Sequence, residues 1–157
     1  MTDGYTLRTA AVEDAELIRD HRRAMFSDMG YEDQAALDTM GTHFLPWVSD
    51  RLRRGEYVAW FAVAEDRSIA AGLGLWLMDW PPHMLGAAPY RGNIVNVYTQ
   101  PAHRRRGLAR QLMECALTFC TVHQIRTVVL HASPEGRGLY ESLGFQPTNE
   151  MRLILNG

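Results

Sequence analysis

The stretch from Asn93 to Ala132 constrains the fold more than any other part of the chain. "NIVNVYT" reads as a strand, "TQPAHRRRGLARQLM" passes through three adjacent arginines and Gly107 into an apolar helical pattern, and "TVVLHA" is a second strand of β-branched character. Leu108, Leu112, Cys115, Ala116 and Phe119 mark one face of the helix between them, which runs to about His123. A strand, a crossover helix of about four turns and a strand make a right-handed parallel βαβ unit. Such a unit requires a sheet with helices packed on it.

The flanking segments supply the rest of that sheet. Tyr5 to Ala10 alternates as a short strand, and Thr9 is the expected N-cap of a helix reaching about Met25. "QAALDTMGTHFLPWVSDRL" has helical spacing, and Gly41 and Pro46 predict a kink or split in it. Tyr57 to Ala64 and Ile69 to Met78, joined at "EDRS", form a hairpin that is apolar at nearly every position, so both strands should be covered on two faces. "PPHMLGAAPYRG" reads as a loop. "SPEGRGLYESLGF" predicts a short helix ended by Gly144, and "MRLIL" a final or edge strand. The whole, residues 1–157, reads as one domain of α/β or α+β class with a mixed sheet.

Composition narrows the function. With 46% apolar and 22% charged residues and a formal net charge of −2, the chain is an ordinary globular protein, which argues against a general nucleic-acid or anionic-membrane binder. The arginine run is therefore a local feature, although all sixteen basic residues are arginine. Cys115 and Cys120 lie five apart in one helix and point to different faces, so free thiols in a reducing compartment are expected. No signal-peptide pattern or long apolar run is present, and the expected location is cytoplasmic. The six histidines show no ligand spacing, so no metal is expected.

Between the strand "NIVNVYT" and its helix, the backbone N–H groups of residues 105 to 109 have no intrahelical partner and point outward with the positive end of the helix dipole. Gly107 permits close approach of a ligand, Ala109 keeps the entry open, and the guanidiniums add charge. An anion with several oxygens, such as a diphosphate, suits that turn. On these residues alone a solvated helix entry is an equal alternative. The turn is neither a P-loop nor a dinucleotide fingerprint, because the glycines and lysine of those patterns are missing.

Arg104-x-x-Gly107-x-Ala109, preceded by "VYTQPAHR", resembles motif A of the GNAT superfamily of acyl-CoA-dependent N-acyltransferases. "SPEGRGLYESLGF", about 30 residues downstream, is similar to the family's motif B, with Tyr140 ahead of Leu143-Gly144-Phe145. The resemblance implies a GNAT fold with a central mixed sheet of about six or seven strands, about four helices and a splayed βαβ cleft. It implies acetyl-CoA or coenzyme A as co-substrate. The pyrophosphate would lie on the amides of Arg105, Arg106, Gly107, Leu108 and Ala109, with Arg104 at the leading position. The pantetheine arm would pair with Val97, Tyr98 and Thr99, and Ser133 would contribute a further contact.

N-acyl transfer needs a neutral amine, a donor for the developing oxyanion and usually an acid for the thiolate. The resemblance gives Tyr140 as the acid or sulfur hydrogen-bond donor, and the N–H of Val97 or a neighbour as the oxyanion donor. Many members carry a glutamate base on the fourth strand; here that strand carries Asn93 and Asn96, which take no proton at neutral pH. The base is then His131, His83 or Glu32, or the acceptor is an amine of low pKa. An α-amine of pKa about 8 loses its proton at pH 7 for about 1 kcal/mol, against about 4–5 for a lysine side chain. The acceptor pocket is expected from "SDMGYEDQ" and "DWPPHMLGAAPYRG". The expected activity is transfer of an acetyl group to a primary amine of a small molecule or peptide, by a possible homodimer whose candidate edge is "MRLILNG". The rival is a non-catalytic acyl-CoA-binding regulatory module.

Overall fold

In the computed structural model, which describes residues 2–156, the alternating start of the chain forms β1 (Tyr5–Thr9). The helices α1 (Ala15–Asp28) and α2 (Gln34–Arg54) follow, then β2 (Tyr57–Ala64), β3 (Ile69–Asp79) and β4 (Tyr90–Thr99). The chain continues through α3 (Leu108–Val122), β5 (Val128–Leu130) and α4 (Arg137–Ser142). The strands lie in the order β1-β2-β3-β4-β5, antiparallel throughout except for the parallel β4–β5 pair. The mixed sheet and its β4–α3–β5 crossover agree with the sequence pattern. The strand number does not: five strands form among the described residues, because "MRLIL" pairs with nothing.

Alternation in β2 sorts the core into two layers. Trp60 and Ala62 face α3, whose Leu108, Leu112, Met113 and Ala116 are buried there beside Leu73, Leu75 and Ile94. Tyr57, Ala59 and Phe61 face the other way, onto Ala15 and Ile18 of α1 and Phe44 and Val48 of α2. Both hairpin strands are thus covered on two faces, as their apolar runs require.

Two local expectations fail for identifiable reasons. The chain enters α1 through a short 3₁₀ turn, Val12–Asp14, and it is Asp14 rather than Thr9 that organises the entry. Its carboxylate accepts from the Ala11 N–H at 2.7 Å and from both terminal nitrogens of Arg8 at 2.8 Å. Those bonds, with Arg8 the larger effect, hold the Asp14 pKa below its usual value. The second is the split that Gly41 and Pro46 allowed: α2 runs unbroken through both. An interior proline costs about 3 kcal/mol. Burying aromatic and aliphatic side chains, each worth about 1.5–3 kcal/mol, offsets that cost. Phe44 stacks on Trp47, and Trp47 meets Tyr57 and Trp76 edge-on, pinning both sides of the proline to the sheet.

Cys115 and Cys120 are free thiols, and burial pushes that of Cys120 up to about 11.

One buried group ties stability to pH. His21 of α1 is 3% exposed, lies against Phe61 and Tyr98, and has no partner for Nε2. Burial lowers its pKa from 6.5 to about 4. The native state therefore holds it neutral while the unfolded chain binds a proton, so stability falls as pH drops from 6.5 towards 4. Wild type should lose about 2 kcal/mol from this group between pH 7 and pH 5. Urea unfolding of His21→Leu at the two pH values should show that increment missing.

Candidate functional site

The sheet opens beyond Ile94. β5 pairs with β4 only through Gly92, Asn93 and Ile94, opposite Val128, Val129 and Leu130. From Val95 to Thr99, β4 continues along β3 with no strand on its other side among the described residues. The V-shaped gap expected from the resemblance is therefore present, and Val97, Tyr98 and Thr99 lie on its wall.

A bulge shapes this wall. Gly72 pairs with Tyr98 and Gly74 with Val95, so the single residue Leu73 faces both Asn96 and Val97. The extra residue is Asn96, at φ +57°, a left-handed conformation that asparagine tolerates better than most residues. Its amide works at both ends: Nδ2 donates to the Tyr57 hydroxyl at 2.8 Å, and Oδ1 accepts from Arg22 Nη1 at 2.8 Å. Tyr57 reaches it only because β3 has no side chain at Gly74; a Cβ there would lie 1.9 Å from the hydroxyl oxygen. Asn96 is thus a structural bridge occupying a strand position where an ionisable base was sought. Asn93 is also buried, with Oδ1 unpartnered.

Sequence reasoning missed Arg22. The guanidinium lies 4.8 and 4.9 Å from the ring centroids of Phe26 and Phe44, and Nε is buried without a partner. No carboxylate pairs with it among the described residues, and burial lowers its pKa. The signal that could have located this network is the pair of glycines inside an otherwise apolar β3, which marks a bulge or close approach.

At the end of β4 the arginine turn takes the conformation its glycine allows. Gly107 caps α3 at φ +78°, and Arg105 is also left-handed at φ +64°. The first backbone bond into α3 runs from Gln111 N–H to the Gly107 carbonyl, so the N–H groups of residues 105–110 have no backbone acceptor among the described residues. They border a hollow of about 280 Å³ lined by Thr99, the turn, Ala109, Arg110 and Leu139 of α4. A Cβ built on Gly107 meets nothing nearer than the Thr2 hydroxyl at 3.8 Å, so the space over the turn is open. This donor set and space suit a diphosphate.

The three arginines divide the work. Arg104 is turned back into the protein: Nε donates to the Thr99 carbonyl at 3.0 Å and Nη2 pairs with Asp28 of α1. Arg106 Nη1 donates to the Tyr5 hydroxyl at 3.2 Å. Arg105 is exposed beside the hollow. The Thr99 carbonyl is consequently engaged by Arg104 instead of lying free for a ligand.

Tyr140 of α4 is 9% exposed, its ring against Gly136 and near Phe145, and burial raises its pKa. It stays protonated at neutral pH, a hydrogen-bond donor. Ser133 turns its hydroxyl inward to accept from the Gly136 N–H at 3.2 Å, fixing the entry to α4. His131, expected at a strand end facing the cleft, stands outside β5 with an exposed side chain, 2.9 Å from Glu150. His83 Nδ1 accepts from the Leu85 N–H at 3.1 Å within its own loop, and Glu32 is exposed between α1 and α2. The loop begins as expected but ends at Pro89, since Tyr90 to Gly92 already belong to β4; Arg91 stacks 3.5 Å over Trp80 at its base. No cluster of potential metal ligands occurs among the described residues.

A parted parallel strand pair leading into a helix N-terminus that can hold phosphate is the arrangement that the resemblance implies for an acyl-CoA-dependent acyltransferase. Residues 15–145 match the model of the acetyltransferase (GNAT) family, and the chain belongs to that family. It is similar to a GCN5-related N-acetyltransferase from Ralstonia eutropha, 37% identical, covering 98% of this chain and 100% of that one with a TM-score of 0.91. It is also similar to a predicted acetyltransferase from Clostridium acetobutylicum crystallised with acetyl-CoA: 28% identical, 97% and 96% covered, TM-score 0.86. The curated proteins provide no match.

If the amides of the turn carry the cofactor, Gly107→Glu should abolish coenzyme A binding in isothermal titration calorimetry, by placing bulk and negative charge in the hollow. Arg105→Ala should weaken it only about two- to fivefold, the value of one exposed ionic contact.

Proposed function

We propose that this acetyltransferase moves the acetyl group of acetyl-CoA directly to a primary amine of a small-molecule or peptide acceptor. The observation that carries this reading is the unpaired edge of β4 from Val95 to Thr99, which runs from the Asn96 bulge to the free amides of the α3 turn. An extended pantetheine arm can lie along that edge as a strand would.

Acetyl-CoA supplies the reactive thioester; the chain supplies placement and electrostatics. The Val97 N–H, next to the bulge, is the donor for the oxyanion that develops on the thioester carbonyl. The amine nitrogen forms its bond to the carbonyl carbon and gives up a proton as the carbon–sulfur bond breaks. Tyr140 then donates a hydrogen bond or a proton to the departing sulfur. A thiol of pKa about 8.5 is already a good leaving group, so the hydrogen bond is the larger part of that role.

In place of a strand carboxylate, the site offers Arg22. An uncompensated cation near the acceptor disfavours the ammonium form and lowers the amine's pKa. That supports an acceptor which enters neutral or loses its proton to water, and α-amines and other weakly basic amines fit better than lysine side chains. His131 remains the second candidate for proton transfer.

Thiol release from acetyl-CoA across a panel of amines of graded pKa tests the reading. Weakly basic amines should be preferred at pH 7, and Tyr140→Phe should cut kcat by about a hundredfold with little change in KM for acetyl-CoA. If His131 is the base, His131→Ala should remove an ionisation from the pH–rate profile; an unchanged profile excludes it. Tight acetyl-CoA binding with no acceptor-dependent release on a broad panel would favour the regulatory-module alternative.

A further inference from the structure

Helix α1 carries Arg19, Arg22 and Arg23, and two of the three have a counter-ion. Arg19 lies 3.0 Å from Asp20 and Arg23 2.9 Å from Asp38. Arg22 pairs with no carboxylate among the described residues. Its Nη1 donates to Asn96, its Nε is buried without a partner, and its Nη2 makes no hydrogen bond among the described residues. A guanidinium brings five N–H donors and keeps its charge at any pH the protein meets. Taking that charge out of water is costly unless an anion and hydrogen bonds compensate it. Phe26 and Phe44 hold the group by cation–π attraction at 4.8 and 4.9 Å, but they supply no counter-charge and no acceptor in its plane.

Contacts run from the cleft wall through this cation to an exposed apolar rim. Asn96, which Arg22 holds, is the bulge of β4 immediately before Val97. Phe26, packed on Arg22, also meets Tyr31 edge-on at 5.6 Å, and Tyr31 and Met29 of the α1–α2 connection are 59% and 49% exposed. We propose that the acceptor amine carries its own carboxylate, that Arg22 receives it, and that the apolar part of the acceptor lies against Phe26 and Tyr31. This rests on the acetyltransfer reading and names the acceptor class for it. A carboxylate matches the planar fork through Nη2 and a neighbouring N–H while Nη1 stays on Asn96. One guanidinium flanked by rings balances one negative charge; a phosphate monoester, with nearly two, would stay half compensated there. The bound carboxylate cancels much of the charge that the amine feels, so selection by the anion and selection by amine basicity are separate effects.

Pairs of amines that differ only in a carboxylate or its carboxamide test this. Alanine, β-alanine and the dipeptide Ala-Ala, each beside its amide, serve as acceptors, with kcat/KM expressed per unprotonated amine so that basicity drops out. Wild type should favour the carboxylate member of at least one pair by about tenfold or more, as a charge-assisted contact would. Arg22→Gln should bring that ratio to about one, and Arg22→Lys, which keeps the charge without the fork, should restore part of it. Loss of the Asn96 bridge alone would lower both members of a pair together; a ratio unchanged in Arg22→Gln therefore overturns the proposal. So does a wild type that prefers 2-aminoethyl phosphate to β-alanine, or one that turns over the amides as well as the carboxylates in every pair, an outcome that leaves the transfer reading intact. Calorimetry of the matching N-acetyl products on coenzyme A-loaded protein reads the anion site without turnover. Tighter binding of the carboxylate products supports it even where no amine releases thiol, and equal affinity for the two products overturns it whether or not thiol is released.

Discussion

The bridge through Asn96 is the constraint on which the rest of the site depends. A residue with φ +57° in the middle of a sheet interrupts the ladder, and it persists only where its surroundings hold it. Here both ends of the side-chain amide are held, by the Tyr57 hydroxyl in the core and by Arg22 on α1. The tyrosine is fully buried and depends on the space above Gly74, so a glycine on β3 indirectly sets the shape of β4. The bulge increases the local bend of β4 just past the last residue that pairs with β5, which is where the cleft begins. The opening is thus built from the α1–α2 side of the sheet, although a ligand would be held by α3 on the other.

Backbone groups supply most of the free hydrogen-bond donors at the α3 entry. A run of three arginines suggests a charged patch, but Arg104 is committed to Thr99 and Asp28 and Arg106 to Tyr5. What remains for an anion is a fan of N–H groups whose directions are fixed by the left-handed conformations at Arg105 and Gly107. Fixed dipoles need no ordering when a ligand arrives, whereas long exposed side chains lose rotamer freedom. Arg104 and Arg106 contribute by holding the turn against α1 and β1, so that its amides converge.

The elements read well wherever burial writes a periodicity. The two-sided apolar runs of β2 and β3, the one-sided face of α3 and the turn between β4 and α3 all stand where the pattern puts them. A split at Pro46 does not occur because a local rule about proline ignores the aromatic packing on either side of it. The site was legible where it is made of backbone, through Gly107 and the α3 entry. It was illegible where it is made of side chains that meet only in three dimensions. Arg22, Tyr57 and Asn96 are separated by dozens of positions, and Asn96 read as a missing base because nothing local shows that its amide is fully engaged. "MRLIL" read as a strand and has the character of one, but a strand is defined by its neighbour, and among the described residues it pairs with none.

The shortness of β5 links the two open edges of the molecule. Three residues of pairing with β4 are what leave Val95 to Thr99 without a strand on the cleft side among the described residues. β5 is the shortest strand of the sheet, half-buried and paired on one side. Lengthening its pairing with β4 would stabilise it and close the cleft. Support comes without that loss from side-chain packing, with Val128 and Leu130 set against the core shared with α3 and Tyr140. An open gap towards β4 and an unpaired edge on the opposite side are therefore joint features of one short strand.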